Sequence, residues 1–149
     1  MNPRRGFSQL EVLIAVGILA LGILGVVGSL TYSTQAQRFG ERTTEAVQVA
    51  RELVEKIRVR NLPYEWDPPQ PPEDSGLCDE PGARKPLSAR PFASDFPGES
   101  PFQRNIRVTP LTTDRGDYRY GMTRIEVTIF WSEQGRERTV RFASIHRRP

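Results

Sequence analysis

The sequence predicts an α+β fold, in which a long N-terminal helix packs on a small C-terminal antiparallel β-sheet. An uncharged apolar run near the N-terminus passes directly into an amphipathic helical pattern. Near the other end, short segments alternate strictly between apolar and polar residues, which is the pattern of strands covered on one face. A proline-rich stretch separates the two patterns. Outside the apolar run, a chain of 149 residues holds one small domain with one modest core.

The apolar run from Val12 to Leu30 is nineteen residues long and has Ser29 as its one polar side chain. This length is close to the roughly 20 residues that cross a bilayer and exceeds the roughly 7–15 of a signal-peptide core. No A-x-A cleavage pattern follows the run, so we predict a retained transmembrane helix over residues 7–30. Arg4 and Arg5 predict that the short N-terminal side stays in the cytoplasm and that the larger C-terminal part is exported.

Four glycines lie inside this predicted membrane helix, although each costs up to about 1 kcal/mol relative to alanine. Glycine is common in membrane helices, and this composition alone is one explanation. Close packing against another helix is the other, because Gly25 and Ser29 have small-xxx-small spacing. The sequence leaves both explanations open.

Residues 31–61 continue the helix with one apolar face. Charged residues fill the opposite face, and Pro63 marks the predicted stop because the residue before a proline disfavours the helical conformation. The side chains that fall at helical spacing on the apolar face are Phe39, Thr43, Ala46, Val47, Ala50, Leu53, Val54 and Ile57.

Residues 62–101 contain ten of the thirteen prolines and are predicted to be loop or polyproline II without regular strand pairing. Trp66 is predicted to pack on the core, with a contact for another chain as the alternative. The aromatic side chains expected to hold the segment against the core are Tyr64, Trp66, Phe92, Phe96 and Phe102.

Residues 102–146 predict an antiparallel sheet, followed by a tail over residues 147–149. Residues 123–131 and 137–145 read as a hairpin whose turn contains Gly135, with Val140 and Phe142 directed inward. Residues 103–109 supply a third strand. Three strands are stable only when one face is covered, and the amphipathic helix is the predicted cover.

The residues Gly6-Phe7-Ser8-Gln9-Leu10-Glu11, after a short basic leader and before an apolar helix, resemble the N-terminus of the type IV prepilin family. This family includes pilus subunits and the pseudopilins of type II secretion. The resemblance implies that a prepilin peptidase/methyltransferase removes residues 1–6 by cutting after Gly6 and methylates the new N-terminus at Phe7. It also implies a pilin-like fold, storage in the bacterial inner membrane with an extracytoplasmic domain, and assembly with other pilin subunits into a filament.

Glu11 lies at the edge of the apolar run, where inserting a carboxylate costs roughly 2.5–3.5 kcal/mol. The resemblance implies that Glu11 pairs with the amine of Phe7 on a neighbouring subunit. At an effective dielectric constant of about 20, a pair about 4 Å apart gains roughly 4 kcal/mol, which is comparable to the insertion cost. The alternative is that Glu11 only lies at the level of the lipid headgroups.

The family's principal subunits often carry a two-cysteine C-terminal loop and a proline in the membrane helix. This chain has one cysteine, Cys78, and glycines in that helix. The departures favour a minor pilin that helps filament assembly or priming, with a minor pseudopilin of type II secretion as the alternative.

Other functions have weaker support in the sequence. Cys78 and His146 are the residues an enzyme reading would use, but neither has a recognisable catalytic context, so we predict no enzymatic activity, no cofactor and no metal site. Cys78 is expected to be an exposed free thiol, and His146 to be solvated in a basic tail. A solvated arginine-rich face is expected at the C-terminal end. DNA uptake is a weaker reading that rests on Arg136, Arg138, Arg141, Arg147 and Arg148.

Overall fold

The structure is a computed structural model that describes residues 8–96 and 98–147. Helix α1 covers Gln9–Val59, and strands β1 to β4 cover Lys85–Pro86, Gln103–Pro110, Met122–Glu133 and Arg136–Arg147. Two short 3₁₀ turns lie at Leu62–Glu65 and Glu73–Ser75. The chain divides into two units, residues 1–42 and residues 43–149.

The N-terminal unit consists of the first part of α1, in which every described residue from 8 to 42 is exposed. This part includes Phe39, whose predicted place on the core face is wrong. The buried helix positions begin only at Ala46, in the C-terminal unit.

In the C-terminal unit, one face of α1 packs on the sheet. Its buried side chains recur at helical spacing, as predicted, and are Ala46, Ala50, Leu53, Val54 and Ile57. The helix ends at Val59, before the predicted stop at Pro63, because Asn61 adopts a left-handed conformation with φ of 51°. Asparagine tolerates this conformation better than most residues and often ends a helix in this way.

The sheet has four antiparallel strands in the order β1-β2-β3-β4. Alternate residues of β3 from Thr123 to Trp131 face α1 and are buried, and Val140 and Phe142 of β4 pack against the same core. The α+β architecture and the predicted hairpin are thus confirmed. The turn lies at Gln134-Gly135, where both residues have positive φ. Strand β4 continues through Arg147, so the sheet extends one residue beyond its predicted end.

The proline-rich segment is attached to the core along much of its length. Phe92 and Phe102 are buried, and Trp66 and Phe96 pack against the core as predicted. One expectation is wrong, because Lys85 and Pro86 form β1 and pair with β2. A proline is accommodated there because β1 is an edge strand, where a missing N–H need not leave a neighbour unpaired.

A charged residue lies inside this core. Arg104 has no exposed side-chain surface, and its Nη1 atom is 3.1 Å from Oδ2 of Asp79, which is equally buried. The same guanidinium donates to the carbonyl oxygens of Ala89 and Arg90 at 3.1 and 2.8 Å. Lys85 Nζ is 2.8 Å from the other Asp79 oxygen. The pair therefore joins residues 79–90 to β2 through charge and hydrogen bonds.

Candidate functional site

Of the predicted processing and assembly residues, Glu11 is within the described part of the chain, and it lies in the first turn of α1. The backbone N–H of Glu11 is 3.1 Å from the carbonyl oxygen of Ser8 and 3.2 Å from its hydroxyl oxygen. Ser8 is therefore the N-cap of α1, and Glu11 is the third helical residue. This Ser-x-x-Glu spacing is that of a capping box, a signal that the prediction for Glu11 overlooked.

The Glu11 side chain is exposed and has no ion-pair partner in residues 8–96 and 98–147. Its position in the first turn is favourable, because the helix dipole attracts negative charge there. Gly6 and Phe7, the predicted cleavage and methylation residues, lie outside the described residues. The structure thus shows Glu11 exposed in the first turn of α1, and its pairing with Phe7 stays a prediction.

The helix that follows Glu11 exposes a long apolar surface. Among the described residues, it is the one helix long and apolar enough to cross a membrane. At the end of the apolar run, the hydroxyls of Thr31 and Thr34 donate to the carbonyl oxygens of Val27 and Leu30 at 2.9 and 2.7 Å. These two hydroxyls thus find partners within the helix.

The glycines of this helix have open space beside them. A methyl group added at Gly17, Gly22, Gly25 or Gly28 would meet nothing within 4 Å. Close packing at Gly25 and Ser29 would therefore need a helix from another chain. Both explanations for these glycines stay open.

The arginines of β4 fall on two faces of the sheet. Arg138 pairs with Trp131 in the register and shares the helix-facing side, to which Arg136 also belongs by alternation. Arg141 and Arg147 belong to the opposite side, and Arg148 lies outside the described residues. Arg141 Nε is 3.2 Å from Glu126. The five arginines therefore do not form one basic patch on a single face, although DNA binding itself stays a prediction.

His146 was expected in a solvated tail, and this expectation is wrong, because the residue lies near the end of β4. Its Nε2 atom is 3.1 Å from Oδ1 of Asn61, and its ring lies 5.4 Å from that of Tyr64. The Tyr64 hydroxyl is 2.8 Å from the carbonyl oxygens of both His146 and Gly121 and can donate its proton to either. These contacts attach the end of α1 to the end of the sheet.

Cys78 is a free cysteine that is half-buried rather than fully exposed, and it lines a cavity beside β2. Cys78 lies beside the outer edge of β2, whereas His146 is in β4, so that β2 and β3 lie between the two residues. In the described part of the chain, no three His, Cys, Asp or Glu side chains are grouped so that they could hold a metal ion.

Comparison with protein-family models, with curated proteins and with solved structures gave no match to this chain. What the sequence and geometry define is an α+β protein with an N-terminal helix suited to a membrane and a separate, well-packed C-terminal unit.

Proposed function

We propose that this chain is a minor structural subunit of a type IV pilus-like filament. The observation that carries the proposal is the spacing in the sequence of four features: Gly6, Phe7, Glu11 and the apolar helix. Each is at the spacing of the prepilin motif, and α1 begins at Gln9, two residues after the proposed new N-terminus at Phe7. The exposed apolar surface of α1 supports the proposal, because such a surface needs lipid or other helices around it.

The proposed course has three steps. The chain is stored in the inner membrane with its N-terminus in the cytoplasm and the unit of residues 43–149 outside. The peptidase then cuts between Gly6 and Phe7 and methylates the Phe7 amine. Finally, the subunit moves from lipid into a bundle of similar helices, where Glu11 pairs with a neighbour's amine. The role is structural, so it needs no catalytic residue, cofactor or metal in this chain.

A minor pseudopilin of a type II secretion system is the alternative, because the same N-terminal motif serves both classes. The two differ in which filament the subunit joins. Deleting the gene and measuring surface pili and protein secretion in the same cells distinguishes them. Loss of pili with normal secretion supports the pilus, and the reverse result supports the secretion filament.

The test of processing is mass spectrometry of the protein purified from its native host. The mature chain should begin at Phe7 and carry one added methyl group. Gly6→Val should leave residues 1–6 attached, because a β-branched side chain obstructs the peptide bond that is cut. A native protein that retains Met1 would contradict the proposed function.

A further inference from the structure

A cavity of about 580 Å³ lies beside β2 in the C-terminal unit. Its walls include Trp66, Cys78 and three prolines of the proline-rich segment, and Arg107, Val108 and Thr109 of β2 line it from the sheet. The volume is within the range of ligand-binding pockets, roughly 300–1,000 Å³.

At this cavity the edge of β2 is not paired with another strand. Strand β1 pairs with only Gln103 and Arg104, and Asp79 binds the backbone of Ile106 further along. The Ile106 N–H donates to Asp79 Oδ2 at 2.8 Å, and the Ile106 carbonyl accepts from the Asp79 N–H at 2.7 Å. Ile106 therefore directs both backbone groups away from β3.

Val108 directs its backbone groups to the same side, because these groups alternate along a strand and the register of β2 with β3 is unbroken. None of the described loop residues forms a backbone hydrogen bond with the N–H or the carbonyl oxygen of Val108. Val108 is only 3 % exposed, and buried backbone groups without a partner are costly. The cavity thus offers one donor and one acceptor to an incoming backbone.

A positive charge lies next to this open edge. Arg107 is exposed and has no ion-pair partner among the described residues. Glu126 is opposite Arg107 in the sheet register, but its carboxylate pairs with Arg124 and Arg141 at 3.1 and 3.2 Å. The Arg107 guanidinium is therefore available to an acidic group that enters the cavity.

The walls of the cavity are held in place from both sides. Asp67 is 3.0 Å from the guanidinium of Arg115 and accepts a hydrogen bond from Tyr120, while Trp66 packs on the core. On the other side, Cys78 precedes Asp79, which is fixed by the buried pair with Arg104. The site is thus formed without a ligand, so binding does not first require the walls to be ordered.

We propose that this cavity binds an extended, acidic segment of another protein chain as an added strand on the edge of β2. One apolar residue of the segment lies opposite Val108 and exchanges two backbone hydrogen bonds with it. In an antiparallel arrangement, the next residue is acidic and lies beside Arg107, and the preceding residue lies beside Thr109. Residues 146–149 are basic, so this segment of a second copy does not complement Arg107.

This proposal is independent of the filament and can be tested on the full-length chain in detergent micelles. The probe is the blocked peptide acetyl-Ser-Thr-Val-Glu-amide, which ends before Ile106, and the readout is the rate at which iodoacetamide alkylates Cys78. Because Cys78 is the one cysteine, mass spectrometry assigns the label without ambiguity. At a peptide concentration about ten times its Kd, alkylation should slow about tenfold, since only the free fraction reacts.

Two controls test the backbone and the charge separately. The same peptide N-methylated at its valine should not protect Cys78, because it cannot donate to the Val108 carbonyl. Arg107→Glu should abolish protection by the glutamate peptide and create protection by the matched lysine peptide. Arg136→Glu makes the same charge change at the exposed turn and should leave protection by the glutamate peptide intact.

Three results would overturn the proposal. The first is an unchanged alkylation rate at millimolar glutamate peptide. The second is equal protection by the N-methylated peptide, or equal protection of the Arg107→Glu variant. The third is protection that increases with protein concentration in the absence of peptide, because this would identify a second copy of the chain as the occupant.

Discussion

Arg104 is a charged residue that lies fully buried in the core and joins residues 79–90 to β2. The alternation of β2 places it on the same face as Ile106 and Val108, so the period of two was the signal for its burial. The prediction counted only the two apolar residues on that face. Asp79 could not be recognised as its partner, because it comes from an irregular segment 25 residues away. Burial lowers the pKa of Arg104, and the charge of Asp79 opposes that effect.

The first prediction concerns this buried pair. Asp79→Asn keeps the size of the side chain but leaves the Arg104 charge buried without its counterion. The free energy of unfolding should therefore fall by about 3–5 kcal/mol. Denaturant unfolding of the full-length chain, followed by tryptophan fluorescence, measures this loss. Glu137→Gln, which breaks the exposed pair between Glu137 and Arg84 at 2.8 Å, is the control and should change stability little. Equal effects of the two substitutions would contradict the role of the buried pair.

The second prediction concerns His146 and pH. Burial lowers the pKa of His146 below its ordinary value of 6.5, and the charge of Arg58 acts in the same direction while Glu55 opposes it. Because the folded pKa lies below the unfolded one, stability from the neutral imidazole is present above pH 6.5 and is lost as pH falls below that value. His146→Gln removes this dependence.

The measurement for His146 is the free energy of unfolding of both forms at about pH 7.5 and about pH 5.5. Acidification should destabilise the wild-type chain more than the His146→Gln variant. Parallel losses in the two forms would mean that other groups carry the whole pH response.

At the scale of elements, the strong periodic patterns were predicted well and the long-range contacts were not. The core face of α1, the hairpin and the β2 segment follow from periods of 3.6 and two, which are local properties. Strand β1 depends on a partner far along the chain, because Lys85 pairs with Arg104 of β2. A local pattern contains no information about such partners. The end of α1 was predicted at residue 61 and lies at Val59, because Asn61 adopts a left-handed conformation.

The third prediction tests how α1 docks on the sheet with a matched pair of substitutions. Val54 is 3 % exposed and Val59 is 71 % exposed on the same helix. Val54→Ala removes two buried methyl groups and should lower the free energy of unfolding by about 2 kcal/mol. Val59→Ala should stay within about 0.5 kcal/mol of the wild type. Similar losses for both would contradict the observed helix face.

At the scale of the whole molecule, the two units meet different physical demands. The unit of residues 43–149 buries its own apolar core, whereas the apolar residues among the described part of the first unit, residues 8–42, are all exposed. The first unit is therefore suited to lipid or to other helices. The motif residues Gly6 and Phe7 lie outside the described residues, and the pairing of Glu11 involves another chain, so the proposed assembly has to be tested by experiment.

Glu11→Gln tests the central claim most directly, because it separates charge pairing from helix capping. Glutamine can serve at the third position of a capping box, so the variant keeps the helix start formed by Ser8 while losing the charge. It should insert, be cleaved after Gly6 and accumulate in the membrane. It should fail to enter filaments, because a neighbour's Phe7 amine is left without a counterion at a cost of several kcal/mol. Ser8→Ala removes the cap, keeps the charge and should still assemble.

The measurement compares the membrane fraction with the sheared-filament fraction for wild type, Glu11→Gln, Glu11→Asp and Ser8→Ala. We expect Glu11→Gln to be processed but absent from filaments, and Glu11→Asp to be intermediate because its side chain is one methylene shorter. If Glu11→Gln enters filaments at the wild-type level, Glu11 does not pair with a neighbouring subunit, and the proposed assembly mechanism is wrong.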